Sequence, residues 1–250
     1  MGAFALLALS AAVAAAPPAH QAEEVARSMM KAMGGQDAWN RARFIRFDFI
    51  VTVNGRDLIS RAHLWDKQTG RYRIEDKAAD GESGVVIFSS IARQQGCAYV
   101  AGRKLEGAAA ARALKAAYAS YLNDVYWLAM PWKWLDPGVH LKYLGRKERG
   151  GQTFDVVELT FARPAPNAGD RYEAYVSTRS HLMERWEYVL HSGEKGAWDW
   201  QYAATGGIKL ARNHTNGAGA SIGMGDVRVL NHVNDAFLTD PNRWLAQMPK

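Results

Sequence analysis

Between Phe44 and Asn54 the chain alternates. Ile45, Phe47, Phe49, Val51 and Val53 fall on one side, and Arg46, Asp48 and Thr52 on the other. Only an extended strand turns successive side chains to opposite faces, so this segment has one buried face and one polar face. Asn54-Gly55 follows, a pair that accepts the positive φ angles of a two-residue hairpin. Asp57 to Asp66 is then the returning strand, and a second turn at Lys67–Gly70 leads into Arg71–Asp76. Strands joined by such tight turns must run antiparallel.

Short strands at Val85–Ser90 and Cys97–Val100 continue the meander, and strands resume from His140 to Asn213. Their turns are marked by Gly150-Gly151, Pro164-Ala165-Pro166-Asn167 and Gly206-Gly207. The Gly-rich stretch Thr215–Gly225 reads as a loop, and Val227–Val233 as the last strand. Helices are expected at two places. His20–Met33 carries an apolar stripe of Ala22, Val25, Met29 and Met33 and stops at Gly34-Gly35. Glu106–Leu122 carries Leu114, Tyr118, Tyr121 and Leu122, with Val125 extending the stripe. Tyr126–Val139, with three Trp and two Pro, cannot be one regular element. The expected fold class is α+β and mainly antiparallel β: one strongly curved sheet, an unclosed barrel of about ten to eleven strands, capped by helices.

The 250 residues suffice for a sizeable core, and 48% hydrophobic against 22% charged residues argues against long disorder. Nothing in the chain marks a linker or a repeat. Ala3–Ala16 is an uncharged run of small and apolar residues ending at Pro17-Pro18, too short to span a bilayer. It reads as a secretory signal peptide over residues 1–19, cleaved near Ala16, with one domain over 20–250 exported to the periplasm or secreted. No Lys or Arg precedes the run, which points to a start a few residues upstream. Cys97 is the only cysteine, so an intramolecular disulfide is ruled out, and its strand reads as buried. The net charge of +6 is scattered and forms no nucleic-acid stripe, though it is compatible with contact at an anionic membrane surface.

Signals for chemistry are weak. Gly219-Ala220-Ser221-Ile222-Gly223 matches the pattern of a hydrolase nucleophile elbow, but that device needs a strand, a sharp turn and a helix. The residues after Gly223 return to strand-like alternation instead. The same glycines lack the βαβ setting of a dinucleotide site. The seven His show no metal-ligand spacing; His63 and His191 sit in strands and are expected to face solvent or be hydrogen bonded. The carboxylates Asp124, Asp136, Glu184 and Glu187 look ordinary. No catalytic residues, metal site or cofactor are expected.

Aromatic residues are the more informative set, with 9 Trp, 10 Tyr and 8 Phe. A curved sheet has a concave face that must be filled by side chains or by a ligand. Three groups of residues then carry a resemblance: Tyr126-Trp127-Leu128-Ala129-Met130-Pro131-Trp132-Lys133 with Asp136–Val139, Gly35–Asn40, and Trp65-Asp66 with Thr69–Tyr72. From about residue 22 onward the chain resembles the LolA/LolB-like superfamily of periplasmic lipoprotein carriers, within a group of exported bacterial proteins.

The resemblance implies an unclosed barrel with an apolar cavity, and an acyl chain of a lipid or lipoprotein as partner. Its expected lining or lid is Phe47, Phe49, Tyr72, Tyr126, Trp127, Met130, Trp132, Trp134, Leu159, Trp186, Trp198 and Trp200. Two readings of function follow. One is a non-enzymatic carrier or sensor of an apolar ligand. The other is an envelope interaction module in which an exposed Trp-rich segment docks on a partner or membrane.

Overall fold

The computed structural model describes residues 18–77, 82–163 and 167–249. The apolar run at residues 3–16 and the turn residues Pro164-Ala165-Pro166 lie outside them. Helices α1 (Pro18–Ala32) and α2 (Gln36–Arg41) precede β1 (Phe44–Val53), β2 (Arg56–Asp66), β3 (Arg71–Lys77), β4 (Ser83–Ser90), β5 (Gln95–Val100) and the two-residue β6 (Arg103–Lys104). Helix α3 (Gly107–Ala129) and a 3-10 turn at Met130–Lys133 come next. Then follow β7 (Val139–Arg149), β8 (Gln152–Phe161), β9 (Arg171–Ser177), β10 (Met183–Val189), β11 (Lys195–Thr205), β12 (Ile208–Thr215) and β13 (Ala220–Leu230).

All thirteen strands form one antiparallel sheet in the order β6-β5-β4-β3-β2-β1-β13-β12-β11-β10-β9-β8-β7. Two meanders meet where β13 pairs with β1, and the sheet ends at β6 on one side and β7 on the other. This is the expected curved, unclosed sheet with helices over it, with thirteen strands where ten to eleven were expected. β6 is too short to leave a periodic signature.

Strand order dictates the path of α3. The chain leaves the sheet at the β6 edge and must re-enter at the β7 edge, so the connection has to cross a whole face. At about 1.5 Å per residue, the 23-residue helix is roughly 34 Å long, enough to span it. Its stripe of Ala117, Val125 and Leu128 packs into the main core with Phe47, Phe49, Tyr72, Leu159, Trp186 and Trp200 from the sheet. The helix runs seven residues further than expected, because Tyr126–Ala129 continue it before Pro131 imposes the 3-10 turn. Helix α1 packs its Ala22, Ala26, Met29 and Met33 face into the same core, against β7 and β8. Its exit is fixed at Gly34 (φ +119°), where a Cβ would meet the Gly207 carbonyl at 2.4 Å, and by the Lys209 N–H donating to the Met33 carbonyl at 2.7 Å.

Two expectations are corrected here. Thr215–Gly225 is mostly strand rather than loop, since β13 begins at Ala220 and ends at Leu230. Gly223 lies opposite Ile50 and Gly225 opposite Asp48. A register shift between Arg46 and Asp48 marks a bulge beside Asp226, whose φ is +38°, and bulges of this kind bend a sheet. Cys97 lies in β5 as expected but is half-buried rather than buried.

The outer face is covered over β1–β3 by the C-terminal segment. Phe237, Leu238, Leu245 and Met248 pack on Phe44 and Leu64. Arg73 is buried beneath this segment, donating to Glu75 Oε1 at 2.7 Å and to the carbonyls of Asp240 and Pro241 at 2.7 and 3.3 Å. Leu245 N–H donates to the same Glu75 oxygen at 2.9 Å. A buried guanidinium is tolerated because its protons have carboxylate and carbonyl partners.

Candidate functional site: an aromatic groove beside helix α3

Where α3 leaves the sheet, it and the strands β8–β11 diverge around a groove of about 920 Å³. Leu122, Asn123, Tyr126 and Trp127 form the helix wall. The opposite wall is Phe161 of β8, Tyr172 of β9, Trp186 and Tyr188 of β10, and Trp198 of β11. Period two explains this wall: Trp186 and Tyr188 are two apart, and Trp186 pairs with Trp198 across the ladder, so all three project to one face. Trp127 reaches in from the helix, 5.0 Å from Trp186 and 5.2 Å from Trp198, edge-on to both. The turn Asp136–Gly138, with Lys133 and Arg163, forms a polar rim at one end.

Of the twelve residues expected at a cavity or lid, Tyr126, Trp127, Trp186 and Trp198 line this groove. Trp200 and Leu159 lie in the closed core, with Phe47, Phe49, Tyr72, Met130, Trp132 and Trp134. The Trp-rich segment is therefore a plug: Trp132 is 3% exposed and Trp134 1%. Trp132 stacks on Trp39 at 5.1 Å and donates its indole N–H to the Lys209 carbonyl at 3.0 Å, while Trp134 donates to Met130 Sδ at 2.9 Å. This burial removes the premise of a docking module with an exposed Trp132–Trp134 surface.

Two buried polar features escaped the sequence reading. The first joins β2 to α3. Asp124 is fully buried and accepts two hydrogen bonds from Arg61, Nε at 2.7 Å and Nη2 at 2.8 Å. His63 is also fully buried, with Nε2 3.1 Å from Asp124 Oδ2, off the ideal hydrogen-bond line. Its Nδ1 lies 2.7 Å from the Tyr72 hydroxyl, and its ring stacks on Phe47 at 4.4 Å. Burial holds the His63 pKa below its usual value, although Asp124 pulls it upward. Burial raises the Asp124 carboxyl, but the adjoining His63 ring and the Arg61 guanidinium outweigh it and hold it low. With a neutral imidazole, Nε2–H faces the carboxylate and Nδ1 accepts from Tyr72. None of Arg61, His63, Tyr72 and Asp124 lines the groove, and the cluster forms a latch that ties α3 to β2.

The second feature is His214 on β12, enclosed by Trp200 at 4.2 Å and Trp127 at 5.0 Å. Neither ring nitrogen makes a well-aligned hydrogen bond among the described residues, although the Trp127 backbone lies close to the imidazole, and the indole N–H groups of Trp186 and Trp200 have no partner there. Burial drives the His214 pKa down to about 3, so the folded protein keeps it neutral. The unfolded chain takes up a proton as pH falls below about 6.5, while the folded chain does not until about 3. Stability is thus full above pH 6.5 and declines on acidification, by about 2–3 kcal/mol between pH 6.5 and 4.5. His63 contributes in the same direction. Urea unfolding midpoints at pH 7.5, 5.5 and 4.5 should fall in that order, and His214→Phe should flatten the slope. Equal midpoints at all three would contradict this.

Ser221 lies inside β13, opposite Thr52 and Thr215. Its Gly-x-Ser-x-Gly pattern therefore sits in a strand ladder, not on the strand-to-helix turn of a nucleophile elbow. Among the described residues no group of three or more His, Cys, Asp or Glu is placed to hold a metal ion. No helix of these residues is long and apolar enough to cross a membrane.

No protein-family model and no curated protein matches the chain. Solved structures do. A DUF1329 family protein from Desulfovibrio piger is 13% identical over 90% of this chain and 98% of its own, with a TM-score of 0.52. A putative outer membrane lipoprotein-sorting protein domain from Vibrio parahaemolyticus is 11% identical over 88% and 97%, and a LolA superfamily protein from Nitrosomonas europaea 12% identical over 86% and 97%, both with a TM-score of 0.48. At such identities the likeness is one of fold.

Proposed function

We propose that this chain is an exported, non-catalytic binding protein that holds the acyl chain of a lipid or lipoprotein in the groove beside α3, as a carrier or a sensor. The groove carries the reading. It is large, its walls are mostly aromatic and aliphatic, and its volume falls within the roughly 300–1,000 Å³ typical of sites that enclose small molecules. Aromatic walls suit an alkyl chain, which gains about 25 cal/mol for each Å² of apolar surface withdrawn from water. The apolar run Ala3–Ala16 supports export, and the LolA-like motifs support a lipid over other apolar ligands. The absence of a shaped nucleophile at Ser221 favours binding over hydrolysis.

Protein purified from its own compartment should yield about one acyl-bearing molecule per chain on organic extraction, and native mass spectrometry should show the same mass adduct. Leu122→Trp, which narrows the groove from its half-exposed helix wall, should reduce that yield while moving stability by no more than about 0.5 kcal/mol. An empty protein that also fails to bind 1-monopalmitoylglycerol in a tryptophan-fluorescence titration would overturn the reading.

A further inference from the structure

We infer that the groove selects a long-chain lipid with an anionic headgroup, with the headgroup seated at Arg163. This rests on the groove being a ligand site. The charged groups around the groove narrow the ligand beyond "apolar".

Four charged side chains line the groove, and three are already engaged. Lys133 is bridged to Asp136. Asp170 accepts from the His191 backbone N–H at 2.8 Å and from the Tyr172 hydroxyl at 3.2 Å, and lies 3.0 Å from the His191 imidazole. Arg163 is exposed and has no ion pair or hydrogen bond among the described residues. Its position is built: the Ala162 N–H donates to the Gly138 carbonyl at 2.8 Å, which sets Arg163 beside the rim turn, and Phe161 two residues earlier lies on the groove wall. A second cation stands behind this rim. Lys67 donates to the Trp39 carbonyl at 2.8 Å and lies 3.7 Å over the Trp39 ring, with no carboxylate partner among the described residues. The end of the groove therefore carries excess positive charge, and a guanidinium is well shaped to take a carboxylate or phosphate by two parallel hydrogen bonds.

The test uses the mature protein and follows tryptophan fluorescence, since Trp127, Trp186 and Trp198 line the groove. Four probes are titrated below their aggregation limits: palmitate, lysophosphatidic acid with a palmitoyl chain, neutral 1-monopalmitoylglycerol and hexadecyltrimethylammonium. Both anions should bind about fivefold more tightly than the neutral lipid, as expected for one solvent-exposed ion pair, and the cation most weakly. Arg163→Gln should remove the preference, and about 1 M salt should reduce it. The ratio of palmitate to lysophosphatidic acid affinity tells carboxylate from phosphate sources of the same headgroup chemistry. Equal affinity for anionic and neutral lipids, or a preference that survives Arg163→Gln, would overturn the inference while leaving the groove a lipid site. If no probe binds, the ligand-site reading itself fails.

Discussion

Replacing Asp124 by Ala should destabilise the protein by about 3–5 kcal/mol, the usual cost of removing one partner from a buried ion pair. The size follows from what is left behind. Arg61 keeps its charge with only 12% of its side chain exposed, and His63 keeps a buried Nε2–H facing an empty space. Neither can turn to water without moving Phe47, Phe49 or Tyr72, which pack around them. Asp124→Asn should cost less, because it preserves the shape and one acceptor for Arg61. Urea unfolding monitored by tryptophan fluorescence gives both values. A shift below about 1 kcal/mol for Asp124→Ala would show that the latch does not hold α3 in place.

Trp134→Ala should cost a similar amount, about 3–5 kcal/mol, by a different mechanism. The indole is 1% exposed and is the largest fully buried side chain. It packs in the main core with its indole N–H on Met130 Sδ of the 3-10 turn, and its removal leaves a cavity there. Trp134→Phe should recover more than half of the loss, because most of the volume returns. If Trp134→Ala instead left the unfolding midpoint unchanged, the segment would be a surface element, and an interaction module would regain its basis. The two substitutions act on different elements, so their combined effect should be close to the sum.

The sheet was legible because its alternation is written residue by residue. Ile45, Phe47 and Phe49 face the core, while Phe44 faces the C-terminal segment and Arg46, two residues on, pairs with Asp48 at 2.6 Å. β13 was misread because glycines at 219, 223 and 225 imitate a loop. In the fold, the missing Cβ at Gly225 makes room for Asp48, whose own Cβ would stand only 3.3 Å from one added there. The path of α3 followed from no local signal. It is a consequence of which strands lie at the two edges, and strand order is a long-range property.

The candidate site was legible in part. Trp186 and Trp198 could be placed on one face from their spacing, but the split between groove wall and closed core depends on how far α3 stands from each strand. Trp200, two residues beyond Trp198, is covered by Trp127 and closed off. The latch had a readable trace that was passed over. Asp124 lies three residues after Tyr121 and four before Leu128, on the apolar stripe of the helix, where a carboxylate is seldom buried without a partner. Arg61 and His63, two apart on one strand face, were the obvious partners.

The most direct measurement of the central claim is to locate the ligand. A palmitate analogue carrying a diazirine near its chain terminus would be bound to the mature protein, photolysed and mapped by peptide mass spectrometry. The account predicts adducts confined to the α3 segment Leu122–Trp127 and to the strands bearing Trp186 and Trp198, lost on competition with unlabelled palmitate. Adducts on the outer face around Phe237 and Leu245, or labelling that palmitate does not compete away, would contradict it.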